Sequence, residues 1–412
     1  MAAAFIVIGV LATTLSQPQM LARIPIQNLL KNELNVSRAQ NAAFFFWIGF
    51  PWYFKPFAGI LTDAYPLFGT RRRGYILLTI SLTVLMWVGV YFTPHRYNLL
   101  LWACLILDTF MVVASTVVGG YMVEAGQASS SSGRLTAVRN WVEQFSYVIM
   151  GPTAGFLAAI AFGWTALACG SIVFLLIPGA LFLIREQKIR LNRQELLERT
   201  GTQLRNIASA KTMWIAAGLM ALFYIAPGIQ TALFYKQQND LHMTTEMQGF
   251  NVFLGGIFGI VAATAYGLVC KRYNLRTLLI VCLSLGTLGN LGYVWYSTVT
   301  HARVIDSVNG FAYTLCEVAL MDLAVRSTPA GSEGLGFSLM MSVRNLALFG
   351  TDWAGSKAME AWHLPFNAMV VANSVTTLIT VPLVLALPAV LLTQRDADSI
   401  TAEPAPHLAL QE

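Results

Sequence analysis

Charged residues are scarce in this 412-residue chain: they make up 11% of it, whereas hydrophobic residues make up 56%. A soluble globular protein carries about 25% charged residues, so this composition excludes an ordinary water-soluble domain. The abundance of apolar residues also excludes an intrinsically disordered chain. A polytopic membrane protein remains. The length leaves room for roughly twelve membrane-spanning helices of about 20 residues each, with their loops.

Cysteine and histidine are also scarce, with five of each. The cysteines form no CxxC pair and lie in apolar stretches, so we expect neither a disulfide framework nor a metal site. The histidines fall in predicted loops, at helix edges or in the tail, and the sequence contains no HExxH motif and no Walker loop. We therefore expect no catalytic residue, no metal, no cofactor and no enzymatic activity. A membrane enzyme, such as an acyl or glycosyl transferase, stays a less favoured alternative.

Long apolar runs, such as residues 76–91 and 368–392, lack the strict alternation of a membrane β-barrel and predict helices. Residues 1–11 have no basic leader, so we expect no cleavable signal peptide. The predicted spans are 4–30, 40–61, 74–92, 98–123, 135–161, 163–184, 212–235, 247–270, 276–297, 303–326, 335–360 and 364–393.

The 26 basic residues are distributed unevenly over the loops. If the N-terminus is cytoplasmic, sixteen of them fall in cytoplasmic loops and five in the opposite loops, and the other five lie within predicted helices. This obeys the positive-inside rule, so the net charge of +6 is a topology signal and does not indicate a nucleic-acid partner. We expect a multi-pass protein of the inner (plasma) membrane with both termini in the cytoplasm.

A polar stretch divides the chain into similar halves. We predict a six-helix bundle over residues 1–184, a cytoplasmic linker over 185–211, a second six-helix bundle over 212–393 and a cytoplasmic tail over 394–412. The halves repeat short patterns in the same order, the clearest being Val138-Arg139-Asn140 and Val343-Arg344-Asn345. Pro18 and Pro227 correspond in the same way. An all-α protein with two pseudo-symmetric bundles of six helices is the architecture of the major facilitator superfamily, whose halves rock about a shared midplane site.

The loop between predicted helices 2 and 3 contains Gly59-x-x-x-Asp63 followed by Arg71-Arg72-Arg73. Gly59 permits close contact between helices, and Asp63 can accept hydrogen bonds from a helix N-terminus of the other half. The arginines can pair with a carboxylate such as Glu124 at a cytoplasmic helix end. We predict that these residues form a gate that holds one conformation. In the alternative, the arginines only anchor the protein at the membrane surface.

The same segment, Lys-Pro-x-x-Gly-x-x-x-Asp-x-x-Pro-Leu-Phe-Gly-x-Arg-Arg-Arg-x-Tyr, resembles the folate–biopterin transporter family. Glu317-Val-Ala-Leu-Met321 and Leu339-Met340-Met341-Ser342-Val343-x-Asn345 agree with that family too. The resemblance implies a facilitator-type transporter of a folate- or pterin-like organic anion. A more distant resemblance, through Gly-x-Arg-Arg-Arg-Gly, is to the muropeptide permease and acetyl-CoA transporter branch, which leaves another solute as an alternative.

Ionisable residues at bilayer depth are costly and indicate functional sites. Arg23 has no carboxylate nearby on its own helix, so we predict that it binds an anionic substrate in a central cavity. Asp108 lies about 15 Å into its helix, near the midplane, and Glu317 is comparably deep. We predict that both bind substrate and couple transport to protons, because a buried carboxylate can gain and lose a proton. Both carboxylates are alternatively hydrogen-bonded structural acids.

Arg139 and Arg344 lie in the predicted cytoplasmic halves of helices 5 and 11. We predict that they pair with Glu124 and Asp322 as symmetric gate contacts. Arg139 is also four residues from Glu143, on the same helix face, so the two can neutralise each other instead. In sum, the sequence predicts a secondary transporter that moves a small organic anion across a lipid bilayer, either driven by a proton gradient or, as the alternative, down the gradient of the anion itself. A non-transporting receptor with the same fold stays an alternative.

Overall fold

The computed structural model describes residues 2–65, 67–70, 72–128, 132–184, 193–270, 272–329 and 332–388. These residues are almost entirely helical, apart from one isolated β-bridge between Leu67 and Thr70. The helices of the N-terminal half are α1 (Ala2–Leu15), α2 (Arg23–Asn28), α3 (Arg38–Ile48), α4 (Phe50–Tyr53), α5 (Lys55–Ala64), α6 (Arg73–Phe92), α7 (Tyr97–Ala128), α8 (Ser132–Ala159), α9 (Phe162–Phe174) and α10 (Leu176–Leu183). A π-helical turn, Leu29–Glu33, continues α2.

A helix in the linker region, α11 (Arg193–Ser209), precedes the C-terminal half. The helices of that half are α12 (Lys211–Tyr224), α13 (Gln230–Asn239), α14 (Thr245–Val269), α15 (Leu275–Leu291), α16 (Val299–Ser327), α17 (Glu333–Ala361) and α18 (Phe366–Leu383). Two 3-10 turns, Gly292–Trp295 and Val384–Ala386, follow α15 and α18. The sequence predicted only a polar linker here, and α11 was missed because polar and charged residues outnumber the apolar ones in its sequence.

The predicted all-helical membrane fold is confirmed. Among the described residues, seven helical segments are by themselves long and apolar enough to cross a membrane, and an eighth joins the end of α11 to α12 across a 69° bend. Among the predicted spans that fall short of this test, 4–30, 40–61 and 212–235 are interrupted helices, whereas α8 and α17 are continuous but too polar. The number twelve therefore stays a prediction. The domain boundaries stay a prediction as well, and residues 185–192 and 389–412 lie outside the described residues.

Two interruptions occur at corresponding places in the two halves. Residues 16–22 separate α1 from α2 around Pro18, and residues 225–229 separate α12 from α13 around Pro227. Proline has no backbone N–H and cannot continue a helical hydrogen-bond ladder. In each break a side chain of another helix satisfies a freed carbonyl. The Trp87 indole donates to the carbonyl of Ser16 (3.2 Å), and the Asn373 amide donates to that of Pro227 (2.9 Å).

The halves meet most closely where α8 crosses α14. A Cβ atom on Gly151 would lie 2.5 Å from the backbone nitrogen of Phe253, and one on Gly249 would lie 2.3 Å from the carbonyl oxygen of Gly151. Real Cβ atoms do not approach backbone so closely, so only glycine fits both positions. Gly155 extends this contact to the first turn of α14, because its Cβ would lie 2.7 Å from the carbonyl oxygen of Thr245. Small residues permit this crossing without interdigitating side chains.

Candidate functional site: a charged cluster between the halves

Arg23 begins α2, directly after the first helix break. Its guanidinium carbon lies 5.0 Å from the ring centroid of Phe45, and its Nη2 is buried without a hydrogen-bond partner among the described residues. Asp352 of α17, in the other half, lies within Coulomb range of this guanidinium. The Asp352 carboxylate accepts hydrogen bonds from the backbone and the hydroxyl of Thr231, at 3.0 and 2.6 Å. Arg23 is therefore a cation between the halves with an unused donor.

Asp108 lies on α7 and is fully buried. One of its carboxylate oxygens accepts a hydrogen bond from the side chain of Gln19, in the first helix break, and its Oδ1 has no partner among the described residues. Asp108 thus lies buried inside the N-terminal half, and its depth in the membrane stays a prediction. Gln19 connects it to the break in the first span.

Glu317 on α16 pairs with Arg344 on α17. Arg344 also donates a hydrogen bond to the Tyr224 hydroxyl (3.2 Å), and its guanidinium carbon lies 5.1 Å from the centroid of the Tyr224 ring. Both members of the pair remain partly accessible, with 23% of the Glu317 and 15% of the Arg344 side chain exposed. Among the described residues, no hydrogen bond or ion pair joins any two of the predicted substrate-binding residues Arg23, Asp108 and Glu317.

Arg139 and Glu143 form the i,i+4 ion pair on α8 that the sequence offered as one alternative, with Nε and Oε1 2.9 Å apart. Their side chains are 30% and 35% exposed. They line a small cleft between α1, α7 and α8 with a volume of about 20 Å³. Lys55 of α5 lies within Coulomb range of both members of the pair, and its Nζ is 5.1 Å from the centroid of Trp52.

Tyrosines connect the two ion pairs. Tyr147 follows Glu143 by four residues on α8, and its side chain, which is 36% exposed, lies within Coulomb range of both Glu143 and Arg344. Tyr313, in the C-terminal half, lies within Coulomb range of Tyr147 in the N-terminal half and of Arg344 in its own half. We call this group the central cluster: Lys55, Arg139, Glu143, Tyr147, Tyr224, Tyr313, Glu317 and Arg344. Its three cations outnumber its two carboxylates, so its formal net charge is +1.

The predicted gate residues are described in part. Arg71 and the side chains of Asp63 and Glu124 lie outside the described residues. The Arg72 guanidinium lies against the backbone of Gly120, where a Cβ would come within 2.7 Å of it, one helical turn before Glu124 on α7. A Cβ on Gly59 would lie 3.7 Å from Thr116, an ordinary contact, so this conformation does not require a glycine there.

The predicted pairing of Arg344 with Asp322 is absent from this conformation, because Arg344 pairs with Glu317 instead. Asp322 pairs with Arg326, one helical turn further along α16, at 2.7 Å. It also accepts a hydrogen bond from the Tyr266 hydroxyl at 2.8 Å. A partner four residues away on the same helix is available in every conformation, which is why it competes well with a residue on another helix. The gating roles of Arg73, Arg139, Asp322 and Arg344 stay predictions.

Contacts that the sequence did not predict join the halves at the far end, opposite the linker. The Glu360 carboxylate at the end of α17 accepts hydrogen bonds from the backbone of Ala39 (2.7 Å) and from the hydroxyl of Ser37 (3.1 Å). Lys31 donates to the side chain of Gln238 at 2.8 Å. The Tyr235 hydroxyl donates to the carbonyl of Val36 at 3.0 Å. The far end is therefore closed by polar contacts between the halves.

The family model that matches the chain is that of the BT1 family, over residues 18–405. The chain belongs to the BT1 family. Its curated relatives include a "Folate-biopterin transporter" of Synechocystis sp., 26% identical over 397 residues that cover 90% of this chain and 78% of the relative. "Folate transporter 1" of Plasmodium falciparum is 22% identical and covers 80% of this chain and 67% of its own length. The family resemblance read from the sequence is thus confirmed.

Solved structures share the fold. A D-xylose-proton symporter superposes with a TM-score of 0.72 at 12% identity, covering 94% of this chain and 98% of its own. A variant of the nucleoside transporter NupG superposes with a TM-score of 0.71 at 10% identity, covering 94% and 100%. This BT1 family member therefore has the major facilitator fold. It is a multi-pass membrane protein and a secondary transporter of small solutes, and it belongs among transporters and not among enzymes.

Proposed function

We propose that this BT1 family member carries a folate- or pterin-like organic anion across the plasma membrane by alternating access, coupled to protons. The observation that carries the proposal is the central cluster, a partly accessible group of charges between the halves with one cation in excess. An excess cation attracts an anionic solute, and arginine binds carboxylates with two parallel hydrogen bonds. The tyrosines of the cluster supply ring faces on which a pterin can stack. The names of the curated relatives agree with this solute class.

The orientation follows from the basic residues. Sixteen of them lie in loops on the linker side and five on the far side, so we place the linker and both termini in the cytoplasm. The contacts of Glu360, Lys31 and Tyr235 then close the periplasmic or external end. The conformation described here is accordingly closed to the outside. Gly59, Asp63 and Arg71–Arg73 belong to the cytoplasmic gate that closes in the alternate conformation.

Three residues from the sequence analysis keep proposed roles in this cycle. Arg23 binds the substrate through its unused donor at the level of the first helix break. Glu317 lies in the central cluster and is placed to respond to substrate directly. Asp108 does not line the cleft and takes part in coupling through Gln19, because movement of the break changes the surroundings of its carboxylate.

Purified protein in proteoliposomes tests the proposal. We expect labelled folate or biopterin to enter the vesicles, and an imposed proton gradient to drive accumulation of folate above the external concentration. A thermal-shift panel of folates, pteridines, peptides and nucleotides identifies the solute class beforehand. Binding without entry would identify a receptor. A panel response confined to peptides or nucleotides would reject the pterin-like solute and retain the transporter.

A further inference from the structure

The two ion pairs of the central cluster occupy matching places in the repeat. Arg139 and Arg344 are the central residues of the two Val-Arg-Asn segments. Each arginine pairs with a glutamate of its own half: Arg139 with Glu143 on α8, and Arg344 with Glu317 on the neighbouring α16. Neither pair therefore contributes a charged contact between the halves. An ion pair within one half survives when the halves move apart, so its position facing the other half needs another explanation.

The solvent accessibility of the two ion pairs provides this explanation. Fully buried ion pairs are structural as a rule, but these four side chains are between 15% and 35% exposed. Tyr147 is 36% exposed and lies within Coulomb range of a charged residue in each half. A solute beside the Tyr147 ring is consequently close to the charged pair of each half, and the arginine of each pair already holds a carboxylate of the protein.

The charged surroundings of each glutamate are known from the described residues. Glu143 faces Arg139 on its own helix and Lys55 on α5. Glu317 faces Arg344 on α17, and Arg344 in turn interacts with Tyr224, Tyr313 and Tyr147. The α14 helix packs against both α8 and α16, and its only charged residue, Glu246, is in its first turn. On α7, Asp108 bonds to Gln19 and the side chain of Glu124 lies outside the described residues.

We propose that, in the empty transporter, Glu143 and Glu317 occupy the positions on Arg139 and Arg344 that the carboxylates of the substrate occupy when it is bound. The substrate carboxylates then pair with the two arginines, and each displaced glutamate binds a proton. This inference rests on the proposed function. When a substrate carboxylate forms the ion pair with arginine, the Glu–Arg pair breaks. The released glutamate then takes up one proton from the bulk solution, which balances the negative charge that the substrate carboxylate brings.

In this exchange, the protein takes up one proton for each substrate carboxylate that binds. A dicarboxylate brings two negative charges, and protonation of the two glutamates removes two, so the cluster keeps the same net charge when empty and when loaded. Equal charge in both states lets the loaded and the empty transporter cross the membrane potential alike. A dicarboxylate pterin such as folate carries two protons, a monocarboxylate such as pteroate carries one, and the uncharged biopterin carries none.

The test uses the full chain in two measurements. Calorimetric titration with folate, pteroate and biopterin, in buffers of different ionisation enthalpy, gives the number of protons taken up on binding. Uptake into vesicles that hold a pH indicator gives the number carried per solute. We expect two, one and none for the three solutes, and we expect Glu143→Gln and Glu317→Gln each to lower the folate value by one.

Asp240→Asn is the matched control. Asp240 forms an i,i+4 ion pair with Lys236 at 3.1 Å, as Glu143 does with Arg139, but it lies at the far end with 59% of its side chain exposed. We expect this variant to keep the wild-type proton numbers. Equal proton numbers for folate and biopterin would overturn the exchange, as would a wild-type folate value in both glutamine variants. A wild type that binds and moves none of the three solutes overturns the proposed function and the exchange with it.

Discussion

Glu360 of the C-terminal half binds the first turn of α3 in the N-terminal half, with its carboxylate 2.7 Å from the backbone nitrogen of Ala39. The same turn is capped from within by Ser37 and Gln40, which form a reciprocal capping box. Glu360 thus supplies a second acceptor to a helix N-terminus whose free N–H groups and dipole favour a negative charge. Because donor and acceptor belong to different halves, this contact exists only while the far end is closed.

Replacing Glu360 with glutamine should favour opening of the far end. The amide keeps the shape of the side chain but loses the charge, and hydrogen bonds to charged groups contribute about 1.5–3 kcal/mol, against about 1 kcal/mol for neutral ones. We expect a membrane-impermeant thiol reagent to label a cysteine at Asn28 roughly threefold faster or more, because Asn28 lies beneath the closed contacts. Glu246→Gln removes an exposed acidic residue at the same end that is in the first turn of its own helix, and it should leave the labelling rate unchanged. Identical rates in both variants would deny Glu360 a role in closure.

Replacing Gly249 with alanine should destabilise the protein. The new Cβ would lie 2.3 Å from the carbonyl oxygen of Gly151 and 2.9 Å from the Cα of Gly155, so the backbones must separate. Overpacking of this kind costs about 1–3 kcal/mol. Thermal unfolding in detergent measures the loss. Gly218→Ala is the control, because no atom lies within 4 Å of a Cβ at that exposed position. A Gly249 variant as stable as the Gly218 variant would show that the crossing of α8 and α14 is loose.

Replacing Asp108 with asparagine separates the two predicted proton-coupling residues. Asparagine still accepts a hydrogen bond from Gln19 but cannot release a proton. If Asp108 carries a proton, folate accumulation in this variant loses part of its dependence on external pH, whereas facilitated entry down a gradient persists. Accumulation with the full wild-type pH dependence would remove Asp108 from the coupling pathway. Glu317→Gln, measured in parallel, shows whether the central cluster accounts for the remaining dependence.

Replacing Arg23 with lysine should weaken binding of an anionic solute. Lysine keeps the charge but loses the planar pair of donors, and the unpartnered Nη2 is the atom that a substrate oxygen would take. We expect KM to rise roughly tenfold, as the loss of one charged hydrogen bond predicts, with a smaller change in kcat. Arg96→Lys, at an exposed position of the far end, should leave KM unaltered. An unchanged KM in the Arg23 variant would restrict Arg23 to its interaction with Phe45 and Asp352.

The sequence predicted the helices well because a segment that crosses lipid must be helical and mainly apolar, so a long apolar run identifies it. The predicted span 74–92 is Arg73–Phe92 in the structure, and 303–326 is Val299–Ser327. From the sequence, Pro18 and Pro227 were recognised only as prolines at corresponding positions, and the helix breaks around them were not predicted. Where the helix resumes after a proline depends on which side chain reaches the freed carbonyl. Trp87 and Asn373 reach these carbonyls, and both are distant in sequence from the breaks.

The site was harder to predict than the fold. Spacing along one helix identified the pair Arg139–Glu143, because residues four apart are neighbours on any helix. The partner of Arg344 depends on how α16 and α17 pack, and spacing carries no information about that. Asp322 was the symmetric choice, yet Glu317 is the residue that faces Arg344. The closure by Glu360 was missed for the same reason, since its partners Ser37 and Ala39 are more than 300 residues away along the chain.

The crossing of α8 and α14 near Gly155 gives these helices a fulcrum close to one end. Arg139 is sixteen residues from Gly155, a lever arm of about 24 Å at 1.5 Å per residue. A tilt of about 10° at the glycines therefore displaces Arg139 by about 4 Å, more than the length of a hydrogen bond. A small angular change at one end of the molecule is thus enough to alter the distance between Arg139 and the charged pair of the other half.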